Sequence, residues 1–244
     1  MKQTSPKLTR TMQRMAKTVS PKYISQSLQT RSIIQKFADT HSLVYFGNVN
    51  YRTDEHRLVR GMTTDANQED SHYCIGTFNA YDVVFVRRAS EVRGTRRYWL
   101  IMQIDLRTRF DMPHVCIGPH PGKNGQYDDI TSVLHSFQPI TLGVFGAHDK
   151  RFMQNYTLYT KPSRNLDAER LFTPEITKQI ADHFPPLGIE IWDGCVFIYA
   201  AQRRPNAQLL DAMLRNGVWL AETLDAKAKE LADEQALLVR TENE

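Results

Sequence analysis

The stretch Arg96–Leu106 constrains the fold more than any other part of the chain. Its side chains alternate with period two along an extended backbone. On one side fall Tyr98, Leu100, Met102, Ile104 and Leu106. On the other side fall Trp99, Ile101, Gln103 and Asp105. This alternation predicts a β-strand with a strongly apolar face, which needs neighbouring strands and a covering layer.

Two hairpins are predicted to supply neighbouring strands. Tyr73–Phe78 and Tyr81–Arg88 flank Asn79-Ala80, and asparagine tolerates the positive φ that a two-residue turn needs. Gly188–Trp192 and Cys195–Ala200 flank Asp193-Gly194, a favoured short-turn pair. The polar stretch Asp65–Ser71 is predicted to be a loop. Further strands are predicted at Leu43–Phe46, Arg57–Met62, His114–Ile117, Pro139–Phe145 and Tyr156–Thr160.

Helices are predicted at both ends of the chain, over 7–19, 24–40, 129–137, from Pro174 to before Pro185, and from Asn206 onward. The last helix carries one apolar seam, formed by Leu210, Met213, Gly217, Leu220, Leu224, Ala228 and Leu231. The seam can cover the sheet or pair with a second chain, and its glycine and short length favour packing within the chain. The oligomeric state stays open. Strands without βαβ alternation predict an α+β fold, a mainly antiparallel sheet flanked by N- and C-terminal helices.

The charges divide the chain into three parts. Residues 1–38 carry eight basic side chains and no acid, whereas residues 222–244 carry seven acids against three bases. The middle is neutral, and the whole chain has a net charge of +4. We therefore expect a basic N-terminal arm or helix (1–22), a single α+β domain (23–224) and an acidic C-terminal helix end (225–244). The opposed charges of the two termini indicate that the basic N-terminal segment binds an anionic partner. The alternative is that both termini are simply solvated.

The cysteines and apolar runs bear on the compartment. Cys74, Cys116 and Cys195 are odd in number, far apart, and without a C-x-x-C pair, which favours buried reduced thiols. The longest apolar runs are strand-sized, and the N-terminus has no apolar core typical of a signal peptide. We expect a cytoplasmic protein that can lie peripherally on the inner face of the membrane.

Several residues invite a catalytic or metal-binding interpretation. His72 with Cys74, and His114 with Cys116, stand at i and i+2 on strands and so share a face, while His120 is separated from the second pair by a proline loop. Buried cysteines beside partly exposed histidines are the favoured alternative, so no metal or cofactor is predicted. The loop at 118–123 lacks the spacing of a phosphate loop, and His148-Asp149 is expected to be a polar loop. The sequence therefore favours a non-enzymatic role.

Arginines crowd around Gly94 at the tip of the predicted hairpin of 81–88 with 96–106. Guanidinium groups bind phosphate or carboxylate oxygens with two hydrogen bonds. Tyr98 and Trp99 could add stacking for a single-stranded nucleic acid. Acids from elsewhere in the neutral middle could instead neutralise the cluster. The predicted anion-binding residues are Arg87, Arg88, Arg93, Arg96 and Arg97, together with Arg10, Arg14 and Lys17 on the helix at 7–19.

Residues 36–224 resemble an uncharacterised bacterial family that is best known from actinobacteria. The resemblance is carried by Phe37-Ala38, Tyr81-Asp82, Phe152 with Tyr156, Leu171 to Pro174, and the late hairpin before the terminal helix. It implies the fold class and no catalytic residue. Many members of that family are tied to the membrane by preceding hydrophobic helices, and this chain has a basic helix in that place.

These features together predict a non-enzymatic interaction module. Its basic N-terminus would dock on an anionic partner, which is a membrane surface or an acidic protein. The alternative is a nucleic-acid-binding protein that uses the same basic helix and the hairpin Arg87–Arg97.

Overall fold

A computed structural model describes residues 21–47, 59, 61, 69–92, 95–120, 127, 136–202 and 204–241. The predicted helix at 7–19 therefore lies outside the described residues, and of the predicted helix at 129–137 only residues 136 and 137 are described, neither of them in a helix. The described chain forms a nine-stranded sheet in which every neighbouring pair is antiparallel. The predicted α+β class with an antiparallel sheet and flanking helices is confirmed.

The helices and strands follow the sequence pattern closely. The strands are β1 (Val44–Gly47), β2 (Glu69–Phe78), β3 (Tyr81–Val92), β4 (Thr95–Asp105), β5 (Val115–Pro119), β6 (Gln138–Pro139), β7 (Tyr156–Thr160), β8 (Gly188–Trp192) and β9 (Cys195–Ala200). The α-helices are α1 (Pro21–Thr40), α2 (Lys150–Asn155), α3 (Asn165–Leu171), α4 (Pro174–His183) and α5 (Ala207–Thr241). The strands lie side by side in the order β1-β2-β3-β4-β9-β8-β5-β7-β6.

Both predicted hairpins form, and their turns explain why. Asn79 and Ala80 have φ of 48° and 63°, and Asp193 and Gly194 have φ of 50° and 71°. Both central residues in the left-handed region give the turn whose twist matches that of paired strands. The second hairpin has the predicted bounds, whereas the first is longer than predicted at both outer ends.

Helices cover one side of the sheet, which we call the helix face. Leu100, Met102 and Ile104 of β4 join the apolar core there, while Trp99 and Ile101 join a separate cluster on the other side, the open face. The predicted seam of α5 packs on the helix face, with Leu210, Met213 and Leu220 fully buried. The seam therefore covers the sheet of its own chain. Asn206 caps α5, accepting a hydrogen bond from the Leu209 amide at 2.8 Å.

One loop prediction and one strand prediction were wrong, for local reasons. The stretch Asp65–Ser71 is not wholly a loop, since β2 begins at Glu69 and Asp70 pairs with Arg88. In the predicted strand Pro139–Phe145, only Pro139 belongs to a strand. Gly143 has φ of 134°, and the amides of residues 143, 144 and 145 all donate to the Glu169 carboxylate at 2.6, 2.6 and 3.2 Å. Amides captured by one side chain cannot also bond a neighbouring strand.

Candidate functional site

The predicted arginine cluster is divided by the sheet. In the β3–β4 pair Arg87 stands opposite Leu100 and Arg88 stands opposite Trp99. Because successive side chains point to opposite faces, Arg87 and Arg96 lie on the helix face, whereas Arg88 and Arg97 lie on the open face. Arg93 lies outside the described residues, as do Arg10, Arg14 and Lys17. The hairpin therefore does not gather its guanidinium groups at one tip.

Arg88 is part of the protein interior. Its side chain is fully buried, its Nε and Nη2 bond the Asp70 carboxylate at 2.7 and 2.8 Å, and its Nη2 also donates to the Val59 carbonyl. Tyr73 donates a further hydrogen bond to the same carboxylate at 3.1 Å. A guanidinium enclosed in this way has no surface to offer a partner, so its prediction as an anion-binding residue is corrected. Its charge instead balances that of a nearly buried acid.

Arg87 and Arg96 lie around Tyr98. The Arg87 guanidinium stands 4.5 Å from the centre of the Tyr98 ring, and that of Arg96 stands 5.7 Å from it. Arg96 is exposed and forms an ion pair with Glu69. The arginines of the chain itself thus contact the Tyr98 ring, and Trp99 is buried between Tyr127 and Tyr199. The stacking platform that was considered for nucleic acid does not form from these two rings.

A third cation joins this part of the helix face. Arg31 is exposed on α1, and its charge acts on both Tyr45 and His72. Burial, and then the positive charges of Arg87 and Arg31, lower the pKa of His72 to about 4. Its Nδ1 shares a hydrogen bond of 2.7 Å with the Tyr45 hydroxyl. His72 is therefore neutral at pH 7 in a region of positive potential, which we call the basic surface: Arg31, Arg87 and Arg96.

One exposed apolar side chain lies beside Arg31, and two more lie on the edge strand. Leu28 on α1 is 61% exposed, and Val44 and Phe46 on the edge strand β1 are 56% and 54% exposed. A shallow hollow of about 280 Å³ opens along α1, with Leu28, Arg31 and Lys36 among its lining residues. Val44 and Phe46 lie on the open face, because Tyr45 between them packs on the helix face. Leu28 next to Arg31 and Lys36 forms a surface suited to the boundary between lipid headgroups and acyl chains.

The open face contains a second candidate site, built from strands that are remote in sequence. Cys116 of β5 stands directly opposite Glu190 of β8, and His114 lies two residues before Cys116 on the same face. Tyr199 of β9 is a diagonal neighbour of Glu190, because Glu190 pairs with Phe197. The sheet thereby places a histidine, a thiol and a carboxylate together. We call this the His-Cys-Glu cluster: His114, Cys116 and Glu190.

The donor atoms of the His-Cys-Glu cluster converge. The His114 Nε2 stands 2.7 Å from Glu190 Oε1 and 3.9 Å from Cys116 Sγ, and all three donor atoms lie within 4.8 Å of one another. Cys116 and Glu190 are fully buried, whereas the His114 side chain is 23% exposed. Burial, and then the negative charge of Glu190, raises the pKa of the Cys116 thiol well above its usual value. The cluster therefore opens to solvent on its histidine side.

The surroundings hold these three groups in place. The Tyr199 hydroxyl donates to Glu190 Oε2 at 2.5 Å. The His114 ring stacks on Trp192 with centroids 5.5 Å apart and meets the edge of Phe137 at 4.6 Å. Gly61 packs directly against the Tyr199 hydroxyl, because a Cβ added to Gly61 would lie 2.1 Å from that oxygen. Glu190 and His114 thus each have a packed or hydrogen-bonded neighbour that fixes the direction of the side chain.

The other histidines considered in the sequence lie elsewhere. His120 is exposed and its Nδ1 bonds Thr157 at 2.9 Å, so it is not a third partner of His114 and Cys116. The third partner of His114 and Cys116 is Glu190. No local sequence motif predicts this, because Glu190 lies 74 residues from Cys116 in the sequence. Asp149 caps α2 by accepting from the Arg151 amide, and its neighbour His148 bonds Thr177. Neither residue of that adjacent pair contacts the cluster in the described part of the chain.

The length and hydropathy of the helices decide whether any of them could cross a membrane. Within the ranges that the structure describes, none is both long and apolar enough to cross a bilayer.

Comparison with known proteins shows a likeness of fold. No protein-family model matches the chain, and no curated protein matches it. The fold is similar to the crystal structure of the mycobacterial trehalose monomycolate transport factor A, TtfA, with a TM-score of 0.53 and 11% sequence identity. The match covers 81% of this chain and 93% of that chain. The match shows a shared fold. TtfA is a mycobacterial protein, and the family that residues 36–224 resemble is best known from actinobacteria.

Proposed function

We propose that this chain is a non-enzymatic interaction module that docks on an anionic membrane surface. The observation that carries the proposal is the charge layout: eight basic side chains and no acid in residues 1–38, leading into the basic surface of Arg31, Arg87 and Arg96. Basic residues near an anionic lipid surface contribute roughly 1 kcal/mol each. The protein would act at the cytoplasmic face of the membrane, as a member of the actinobacterial-type family that it resembles.

The exposed apolar residues support a membrane over an acidic protein as the partner. Leu28 is more than half exposed on α1 and lines the same hollow as Arg31 and Lys36, and Val44 and Phe46 are more than half exposed on the edge strand β1. Cations attract a protein to anionic headgroups, and adjacent apolar side chains then bury themselves at the acyl boundary. Nucleic acid is the less favoured partner, because the ring of Tyr98 already contacts two arginines and that of Trp99 is buried.

Co-sedimentation of the full chain with vesicles tests this function. We expect binding to phosphatidylglycerol vesicles, weak binding to phosphatidylcholine vesicles, and loss of binding as salt is added. Deleting residues 1–22 removes six basic side chains and is expected to lower the partition coefficient by roughly 100-fold or more. The double variant Arg87→Ala/Arg96→Ala should lower it by roughly 5- to 25-fold, because Arg96 is already paired with Glu69.

Arg215→Ala is the matched control. Arg215 is exposed on α5 beside Phe78 and Asn79, at the other end of β3 from Arg87, and its loss should leave binding unchanged. Equal and negligible binding to both vesicle types, unaffected by the deletion, contradicts the membrane proposal. Tight, salt-dependent binding of an oligonucleotide in place of vesicles favours the nucleic-acid alternative.

A further inference from the structure

The His-Cys-Glu cluster has a geometry that the docking function does not use. Two arrangements could bring a histidine, a cysteine and a glutamate together: a nucleophile relay or a metal site. In a relay the imidazole uses one nitrogen for the carboxylate and the other for the thiol. Here the same nitrogen, His114 Nε2, faces both Glu190 Oε1 at 2.7 Å and Cys116 Sγ at 3.9 Å. A relay therefore cannot operate in this arrangement, whereas three donors aimed at one point suit a cation.

We propose that His114, Cys116 and Glu190 form a binding site for one divalent transition-metal ion of the zinc class. Imidazole nitrogen, thiolate sulfur and carboxylate oxygen are the ligands of protein-bound zinc. Around a tetrahedral ion such ligand atoms stand about 3.3 to 3.6 Å apart, as follows from bonds of about 2.0 to 2.3 Å. The observed separations of 2.7 and 3.9 Å bracket that range and all three donor atoms lie within 4.8 Å of one another, so side-chain shifts of about 1 Å would seat the ion.

A bound divalent ion would leave the buried cluster electrically neutral. Cys116 and Glu190 are both fully buried, and a buried carboxylate needs compensation by charge or by hydrogen bonds. A divalent cation with one thiolate, one carboxylate and one neutral imidazole has a net charge of zero. On binding, the Cys116 thiol releases its proton to solvent, and the neutral imidazole carries its one proton on Nδ1, which leaves Nε2 for the ion. The neighbouring Arg88–Asp70 pair is separately neutral and adds no competing charge.

The shell around the ligands supports this assignment. Tyr199 bonds the second oxygen of Glu190 at 2.5 Å, which leaves Oε1 for the ion and makes Tyr199 a positioning residue. The aromatic rings of Trp192 and Phe137 fix the plane of the imidazole. Three protein ligands with an opening on the His114 side leave the fourth position for water or for a small anionic ligand. An anion held there would be a second mode of anion binding, on the open face of the sheet.

Metal titration of the full chain, freed of metal with a chelator, tests the proposal. We expect one Zn²⁺ per chain, measured by competition with a chromophoric chelator, and a rise in melting temperature on binding. Replacement by Co²⁺ should give the visible bands of a tetrahedral ion and the near-ultraviolet band of a thiolate bound to cobalt. The absence of stoichiometric binding or of the thiolate band in the wild-type chain overturns the proposal without any variant.

Matched variants assign the ligands. Cys116→Ser should abolish the thiolate band, whereas Cys74→Ser and Cys195→Ser should retain it. Glu190→Gln should weaken Zn²⁺ by roughly 100-fold or more, and Tyr199→Phe by about 10- to 100-fold with the band unchanged. Survival of the band in Cys116→Ser, or unchanged affinity in Glu190→Gln, refutes the assignment. His120→Ala should have no effect, because that ring bonds Thr157 instead.

Discussion

Gly217 controls how closely α5 approaches the sheet, and its replacement by alanine should destabilise the protein. Within a helix, alanine is ordinarily better than glycine by about 1 kcal/mol. A Cβ on Gly217, however, would lie 2.5 Å from Ile104 Cδ1 and 3.1 Å from Ile198 Cγ1. Carbon atoms in contact prefer about 3.5 to 4.0 Å. Both isoleucines are fully buried, so neither side chain can yield toward solvent.

The magnitude follows from these distances. Overpacking of a filled core typically costs about 1 to 3 kcal/mol, and an approach of 2.5 Å places this substitution in the upper part of that range, at about 2 to 3 kcal/mol, against a helical gain of about 1 kcal/mol. We expect Gly217→Ala to lower the free energy of unfolding by about 1 to 2 kcal/mol. For a chain of this size that corresponds to a fall of roughly 2 to 8 °C in melting temperature. Urea unfolding followed by circular dichroism, with scanning calorimetry, measures both quantities.

A second substitution isolates the cause. Ile104→Val removes the Cδ1 atom and should by itself cost about 0.5 to 1.5 kcal/mol. In the double variant the new methyl group at position 217 occupies the space of the lost Cδ1. The γ-carbon that valine keeps at position 104 would lie at an ordinary distance from that methyl group, since Ile104 Cγ1 stands at 3.9 Å. The two changes together should cost at least about 1 kcal/mol less than their sum. Gly118→Ala is the control, because a Cβ there meets no atom within 4 Å. A more stable Gly217→Ala variant, or strictly additive effects, refutes the reasoning.

Three further predictions concern buried polar groups. Arg88→Met leaves the Asp70 carboxylate, which is 9% exposed, without its ion partner, and should lower the free energy of unfolding measured in urea by about 3 to 5 kcal/mol. A loss as small as that for a surface arginine would contradict the interior role of Arg88. Because the pKa of His72 is lowered to about 4, its contribution to stability is complete above pH 6.5 and is lost as the pH falls toward 4. The full loss would be about 3 kcal/mol, reduced by solvent screening to about 1 to 2 kcal/mol, and His72→Asn should flatten this part of the pH–stability curve if the assignment is right. Glu169→Gln removes the negative charge of the carboxylate that accepts hydrogen bonds from three backbone amides. We expect the free energy of unfolding to fall by about 1 to 3 kcal/mol and amide exchange at residues 143–145 to become faster. Unchanged exchange at those residues would count against this role of Glu169.

The sequence alone determined the local features of this fold. Asn79-Ala80 and Asp193-Gly194 specify short turns, the alternation in Arg96–Leu106 specifies a strand, and the seam from Leu210 to Leu231 specifies the buried side of α5. Each of these features depends on residues within a few positions of one another. The α+β class follows from their order along the chain.

Only the tertiary structure decided which groups meet. Alternation assigns each side chain to one of two faces, but it does not say which strand lies beside which. Pairing of β5 with β8 is what sets Glu190 against Cys116, and β2 beside β3 is what turns Arg88 inward onto Asp70. The free energy of such contacts comes from burial between segments remote in sequence. For that reason an arginine expected at the surface became part of the interior, and an unremarked glutamate joined a candidate metal site.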